Sequence, residues 1–351
     1  TFIMKALVYH GPGQKAWEEK EKPGVRKPTD AIVRVTHTTI CGTDLHILEG
    51  DVPAVTPGRI LGHEGVGHVI AVGDSVTNFK VGDRVIVSCI SKCGVCEYCQ
   101  KGFPDHCQSN EAGVGWILGH MIDGTLAEQV RVPFADGSLH HIPEHVTDEQ
   151  AVFLSDSLPT GYEVGVLAGQ VRPGDTVCVV GAGAVGLSAI FTTQLWGASK
   201  VIAVDTNEFR LEKALELGAT DTVVAGPNAK DEILALTDGL GVDVAMEAVG
   251  YPETLQLACA VTRPRGHIAN LGVHGKPVEI PLDTMWIGNY TLTMGLVDGT
   301  STATLLKMVA SGKLPSEKMG THEFKLDDIE KAWDVFANAA EEKALKVVLK
   351  A

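Results

Sequence analysis

Apolar and polar positions change their rhythm near residue 158. Before it, short apolar or alternating runs recur at 5–9, 31–38, 67–72, 84–87 and 127–132, and turn residues such as Gly11-Pro12-Gly13 and Val81-Gly82-Asp83 separate them. This spacing predicts short strands in an irregular β-barrel-like unit. From 158 to about 295, apolar strand runs at 177–180, 201–205, 222–225, 243–247, 267–271 and 291–294 alternate with helical stretches, among them 208–217, which stops at Gly218. Strand–helix alternation predicts a parallel sheet covered on both faces. The remainder predicts a helix at 302–310, a strand at 322–324, a helix at 326–339 and a strand at 345–349. This last stretch either returns to the first unit or extends the sheet.

A chain of 351 residues exceeds the size at which a single core usually splits, so two domains are expected. No apolar run approaches the roughly 20 residues that span a bilayer, and the opening residues read as a strand rather than a signal peptide, so the expected location is the cytoplasm. A net charge of −15 argues against nucleic-acid partners. Of eight cysteines, five crowd between Cys89 and Cys107, a distribution that reads as metal binding in a reducing compartment.

The strand at 177–180 runs into Gly181-Ala182-Gly183-Ala184-Val185-Gly186. In such a turn Gly181 permits the tight bend, Gly183 lets backbone approach a pyrophosphate, and Gly186 lets helix and strand pack closely; the N–H groups of Ala184 and Val185 open the following helix. Asp205 ends the next strand, where a carboxylate accepts both ribose hydroxyls and repels a 2′-phosphate, which favours NAD. Arg210 nearby keeps NADP open as the alternative.

Cys93, Cys96, Cys99 and Cys107 supply four thiolates at loop-compatible spacing, suited to a closed structural zinc site, with an iron–sulfur cluster as the rival. Cys89 reads as a spare buried thiol.

Two further segments are Cys41-Gly42-Thr43-Asp44-Leu45-His46 and Gly62-His63-Glu64-Gly65-Val66-Gly67. Read alone, they suit a buried thiol and a structural histidine as readily as metal ligands. In their order with the cysteine lobe and the glycine turn, they resemble the zinc-dependent medium-chain alcohol dehydrogenase family over essentially the whole chain, its bacterial, typically tetrameric members most of all. The resemblance implies an α/β architecture: a GroES-like β-barrel catalytic domain at 1–157 and 297–351, with a structural-zinc lobe at 89–110, and an inserted Rossmann doubly wound parallel sheet at 158–296, the active site lying in the cleft between them. It implies that Cys41 and His63 are ligands of a catalytic zinc. Asp156 takes the third place, because no cysteine stands at 154–161, and Glu64 supports the ligands from behind or serves as an occasional fourth ligand when substrate is absent, which counts it with the catalytic residues. Thr43 and His46 match a proton relay. Thr160, Val249, Gly250, Leu271, Val273 and Leu296 match cofactor contacts, and Lys346 matches a basic residue that reaches the pyrophosphate. Trp116, Ile117 and Leu296 are candidate pocket walls. The implied activity is reversible hydride transfer between small primary or secondary alcohols and NAD, giving aldehydes or ketones, in a homotetramer with two zinc ions per subunit. A polyol, amino-alcohol or thio-alcohol dehydrogenase of the same superfamily is the alternative. An inactive NAD- or zinc-binding sensor is more remote, since every member of the catalytic set is present.

Overall fold

Met4 and Ala6 of β1 (Ile3–Gly11) point inward, and the chain reverses through Gly11 and Gly13, both at positive φ, into β2 (Gln14–Glu21). Sequence patterning missed β2. Its residues are mostly charged and only half-buried, so backbone pairing with β1 holds it more than side-chain burial does. The computed structural model describes residues 1–351 and divides them into two units, Thr1–Asp156 with Asp298–Ala351, and Ser157–Val297.

In the first unit β3 (Ala31–Thr39) pairs antiparallel with β4 (Gly65–Val72), β6 (Gln129–Val132) and the chain's last strand; β4 pairs with β5 (Arg84–Val87), and β5 with β7 (Leu139–His141). Gly67 lies against Arg34, where an added Cβ would come within 2.0 Å of a carbonyl oxygen, so a glycine is required for β3 and β4 to meet there.

The second unit holds β8 (Thr176–Val180), β9 (Lys200–Asp205), β10 (Asp221–Val224), β11 (Val242–Glu247), β12 (Thr262–Asn270) and β13 (Thr291–Met294). All pair in parallel, in the order β10-β9-β8-β11-β12-β13. This is the doubly wound Rossmann order. Because helices cover both faces, the central strands are continuous apolar runs: Val177, Cys178, Val179 and Val180 are at most 2% exposed. Each such valine contributes about 1.5–3 kcal/mol through burial.

Ahead of β8, a turn of helix (Ser157–Thr160) leads into a π-helical stretch (Gly161–Leu167), which no periodicity announced. Gly161 packs so closely on helix Ala184–Thr193 that an added Cβ would sit 2.6 Å from the Ala189 nitrogen.

The C-terminal stretch returns to the first unit. There β14 (Gly320–Lys325) pairs in parallel with β15 (Lys346–Lys350), which lies antiparallel to β3. No helix is long and apolar enough to cross a membrane.

Candidate functional site

Cys41 stands immediately before helix Gly42–Glu49, where Asp44 Oδ2 accepts the Cys41 N–H at 2.9 Å and closes a capping box. That cap fixes the thiol at a helix start two residues beyond the end of β3. His63 and Glu64 lead into β4. Asp156 follows a short 3₁₀ turn (Val152–Leu154), and its neighbour Ser155 ties it to β4: the Ser155 hydroxyl accepts from Gly65 N at 3.1 Å and donates to the Val87 carbonyl.

Residues far apart in sequence thus meet. His63 Nε2 lies 3.0 Å from Asp156 Oδ2, Cys41 Sγ lies 3.7 Å from the same oxygen, and one donor atom from each of Cys41, His63, Glu64 and Asp156 falls within 4.8 Å of the others. Asp44 Oδ1 faces His63 Nδ1 at 3.9 Å. Thr43 Oγ1 is 3.7 Å from Cys41 Sγ, and the Trp116 ring stands edge-on to His63 at 5.9 Å. Glu64 Oε2 accepts from Lys346 Nζ at 2.7 Å and from the Thr39 hydroxyl, while Oε1 is buried without a partner.

Burial pulls His63 down, but the charges of Cys41, Asp156 and Asp44 outweigh it and hold the imidazole well above its ordinary value. Burial pushes Cys41 up, and pushes Glu64 up to about 7 against the pull of Lys346. A thiol, an imidazole and two carboxylates are thus crowded together out of water, an arrangement that a divalent cation would offset. A sulfur, an imidazole and a carboxylate are a sound donor set for zinc, and the unpartnered Glu64 oxygen lies beside it.

The cysteine lobe is also assembled. The sulfurs of Cys93, Cys96, Cys99 and Cys107 all lie within 4.8 Å of one another, with Cys93 and Cys99 at 4.0 Å. A tetrahedral zinc with bonds near 2.3 Å holds its sulfurs about 3.8 Å apart. An iron–sulfur cluster spreads its four thiolates over two or more irons and so holds some of them farther apart. Backbone N–H groups point at the sulfurs: Val95 and Cys96 donate to Cys93, while Cys99 and Gln108 donate to Cys96. Those two bonds bring Cys96 down to about 6, whereas burial pushes Cys99 up to about 12.

In the second unit, Gly181 has φ +103°, a Cβ on Gly186 would lie 1.8 Å from the Gly181 oxygen, and a Cβ on Gly183 would meet nothing nearer than an Arg210 guanidinium nitrogen at 3.9 Å. The turn is closed on its inner side and open at Gly183, as a pyrophosphate cradle must be. Ala184 and Val185 begin the helix there without a side-chain cap. Asp205 accepts from Ala182 N and Asn207 N, both at 2.8 Å, which sets its carboxylate beside the turn, and Arg210 Nε is buried without a partner.

Other expected residues are placed as follows. His46 is exposed and 3.3 Å from Asp51 Oδ2. Thr160 ends its helical turn, and Leu271 follows β12. Val249, Gly250 and Val273 lie on loops after β11 and β12; Val249 and Val273 are exposed, as is Leu296 beyond β13. Ile117 is buried.

Lys346 stands at the start of β15 and is 1% exposed, with its ammonium bonded to Glu64 and the Ile40 carbonyl. Sequence reasoning gave no role to Asp44 and read Cys89 only as a spare thiol. Asp44 carries a local signal, its capping spacing from Cys41. Cys89 carries none; it is not spare, because its Sγ lies 3.7 Å from Asp156 Oδ1.

Comparison with known proteins bears on this geometry. The family description "Alcohol dehydrogenase GroES-like domain" matches residues 27–144, and "Zinc-binding dehydrogenase" matches 184–311. The chain is 38% identical to an alcohol dehydrogenase of Cupriavidus necator, covering 100% of this chain and 99% of that one. It is 34% identical to an NADP-dependent isopropanol dehydrogenase of Thermoanaerobacter brockii, covering 99% of each. Among solved structures, the apo form of zinc-dependent alcohol dehydrogenase 2 from Streptococcus pneumonia matches with a TM-score of 0.94 at 51% identity, covering 99% of this chain and 98% of that one.

Proposed function

This chain belongs to the zinc-binding alcohol dehydrogenase family, pairing a GroES-like domain with a Rossmann domain, and from that premise we propose that it transfers hydride reversibly between small primary or secondary alcohols and NAD. The observation that carries the reading is the meeting of Cys41, His63 and Asp156 around one point, with Thr43 beside them. When bound there, zinc supplies Lewis-acid polarisation of the substrate oxygen. Cys41, His63 and Asp156 hold the ion, and the Asp44 carboxylate lies 3.9 Å from His63 Nδ1 on the side away from Asp156. Thr43 passes the alcohol proton outward, and the exposed His46 delivers it to solvent. Trp116, stacked on His120 at 4.0 Å, forms an apolar wall near the donors and favours small or aromatic alcohols. A second zinc in the four-cysteine lobe pins a loop with little apolar content.

Gly181, Gly183 and Gly186, with Ala184 and Val185, bind the pyrophosphate. Thr160, Val249, Gly250, Leu271, Val273 and Leu296 border the nicotinamide half. Asp205 receives the ribose hydroxyls and disfavours a 2′-phosphate, although the Thermoanaerobacter brockii relative is named for NADP. Arg210 is the group that would accept NADP instead.

We assign the chain to a homotetramer. Strand β13 leaves one edge of the sheet unpaired, and Met294, Trp286 and Ile287 on and before it are 68%, 71% and 68% exposed.

Metal analysis together with a panel of primary, secondary, aromatic and polyhydric alcohols, run with NAD and NADP, tests the reading. The expected result is two zinc ions per chain and NADH formation from simple alcohols. Turnover of polyols alone would shift the substrate class, and a metal-free, inactive protein would overturn the assignment.

A further inference from the structure

Glu247, the last residue of β11, is wholly buried, and one carboxylate oxygen gathers a loop around it. Its Oε1 accepts from Val249 N and Gly250 N, each at 2.6 Å, and from Thr254 Oγ1 at 3.0 Å. Its Oε2 faces His274 Nε2 at 3.2 Å, and its backbone oxygen accepts from Leu271 N at 2.7 Å and Gly272 N at 3.1 Å. One residue therefore binds the loops that follow β11 and β12. They interlock: a Cβ on Gly250 would lie 2.3 Å from the Val273 oxygen, and one on Gly272 would lie 2.5 Å from Glu247 Oε2.

His274 completes the knot. Its Nε2 also faces Asn270 Oδ1 at 2.7 Å, and the Asn270 amide is oriented by its own bond to the Gly272 carbonyl. Both partners of Nε2 are acceptors, so that nitrogen carries the proton. Nδ1 is buried and has no partner, so the ring is held through Nε2 alone.

These loops lie next to the glycine turn, since a Cβ on Gly181 would come within 2.6 Å of Val249 Cγ2. A doubly wound sheet binds a dinucleotide as two halves, one on each side of its central strand. With Asp205 on β9 taking the adenosine ribose, the other half falls to β11 and β12. We propose that Glu247 and His274 are positioning residues for the nicotinamide half of the cofactor, setting the spacing of the two loops that receive it. The proposal rests on the dinucleotide reading above.

Calorimetric titration of the zinc-loaded protein with NADH and with ADP-ribose, which lacks the nicotinamide, tests it (NADPH and 2′-phospho-ADP-ribose if the wild type prefers them). His274→Ala should weaken NADH about tenfold, the loss of one charge-assisted hydrogen bond, and change ADP-ribose affinity less than about twofold. His274→Gln should restore NADH binding, because its amide offers a proton to each of Glu247 and Asn270. Thr254→Val, which at nearly constant volume removes a donor to Glu247 together with the hydroxyl's bonds to the Tyr251 backbone, should show the same split at about threefold, and carries the test if His274→Ala fails to fold. Equal weakening of both ligands, or unchanged NADH affinity in the variants, would overturn the positioning role. A wild-type protein that binds neither ligand would instead overturn the cofactor reading beneath it.

Discussion

Lys346 Nζ and Glu64 Oε2 form an ion pair at 2.7 Å with each side chain 2% exposed, next to the donors Cys41, His63 and Asp156. A buried charge that loses its partner is costly. Lys346→Met should destabilise the protein by about 3–5 kcal/mol, read from denaturant unfolding, and adding Glu64→Gln should recover most of the loss. Additive losses in the double variant would show that the pair acts as two separate side chains.

Asp156 Oδ2 lies 3.0 Å from His63 Nε2 and 3.7 Å from Cys41 Sγ. Groups that merely orient a metal ligand are worth 10–100-fold in affinity. Asp156→Asn is therefore expected to weaken zinc binding by about 100-fold or more, measured by competition with a chelating dye. Unchanged affinity and turnover would remove Asp156 from the ligand set.

A pH dependence of stability follows from His37, which faces Asp148 at 3.4 Å and Glu149 at 3.1 Å. Burial opposes its charge, but hydrogen bonding to the Asp148 carboxylate and the charges of Glu149 and Asp148 prevail and raise it above its ordinary value. The His37 hydrogen bond, helped by Arg84, holds Asp148 well below the carboxylate range. A raised histidine stabilises the fold fully below about 6.5 and loses that contribution as pH climbs through its folded value. The depressed Asp148 contributes above about 3.9 and fades on acidification. Melting curves of His37→Gln against wild type should show the largest gap near pH 5 to 6, shrinking by about pH 8.5. A gap that widens with pH would reverse the assignment.

Asp205 presents its carboxylate beside the glycine turn, and Arg210 stands near the open face of Gly183. Asp205→Gly should lower kcat/KM with NAD and raise it with NADP, shifting the ratio by on the order of tenfold or more. An unchanged ratio would place the ribose elsewhere.

Trp286, exposed ahead of the free edge at β13, marks the expected self-association surface. Trp286→Glu should convert a tetramer to smaller species in sedimentation without unfolding the monomer. A wild-type monomer would discard that surface.

The sequence by itself determined what is local. The glycine turn and Asp205 lie within one strand–helix–strand unit, and the four lobe cysteines within a single loop, so their spacing already carried their chemistry. Alternating runs marked most strands for the same reason, since period and turn residues act over a few positions. The family resemblance supplied Cys41, His63 and Asp156 as a set, which residue chemistry alone left open. Only the tertiary structure decided the partners of buried charge. Lys346 meets Glu64 because β15 pairs with β3, and Cys89 reaches Asp156 because β5 and the turn at Ser155 share hydrogen bonds. Strand pairing over hundreds of residues chooses which side chains face each other out of water, and burial then obliges each charge to find its complement.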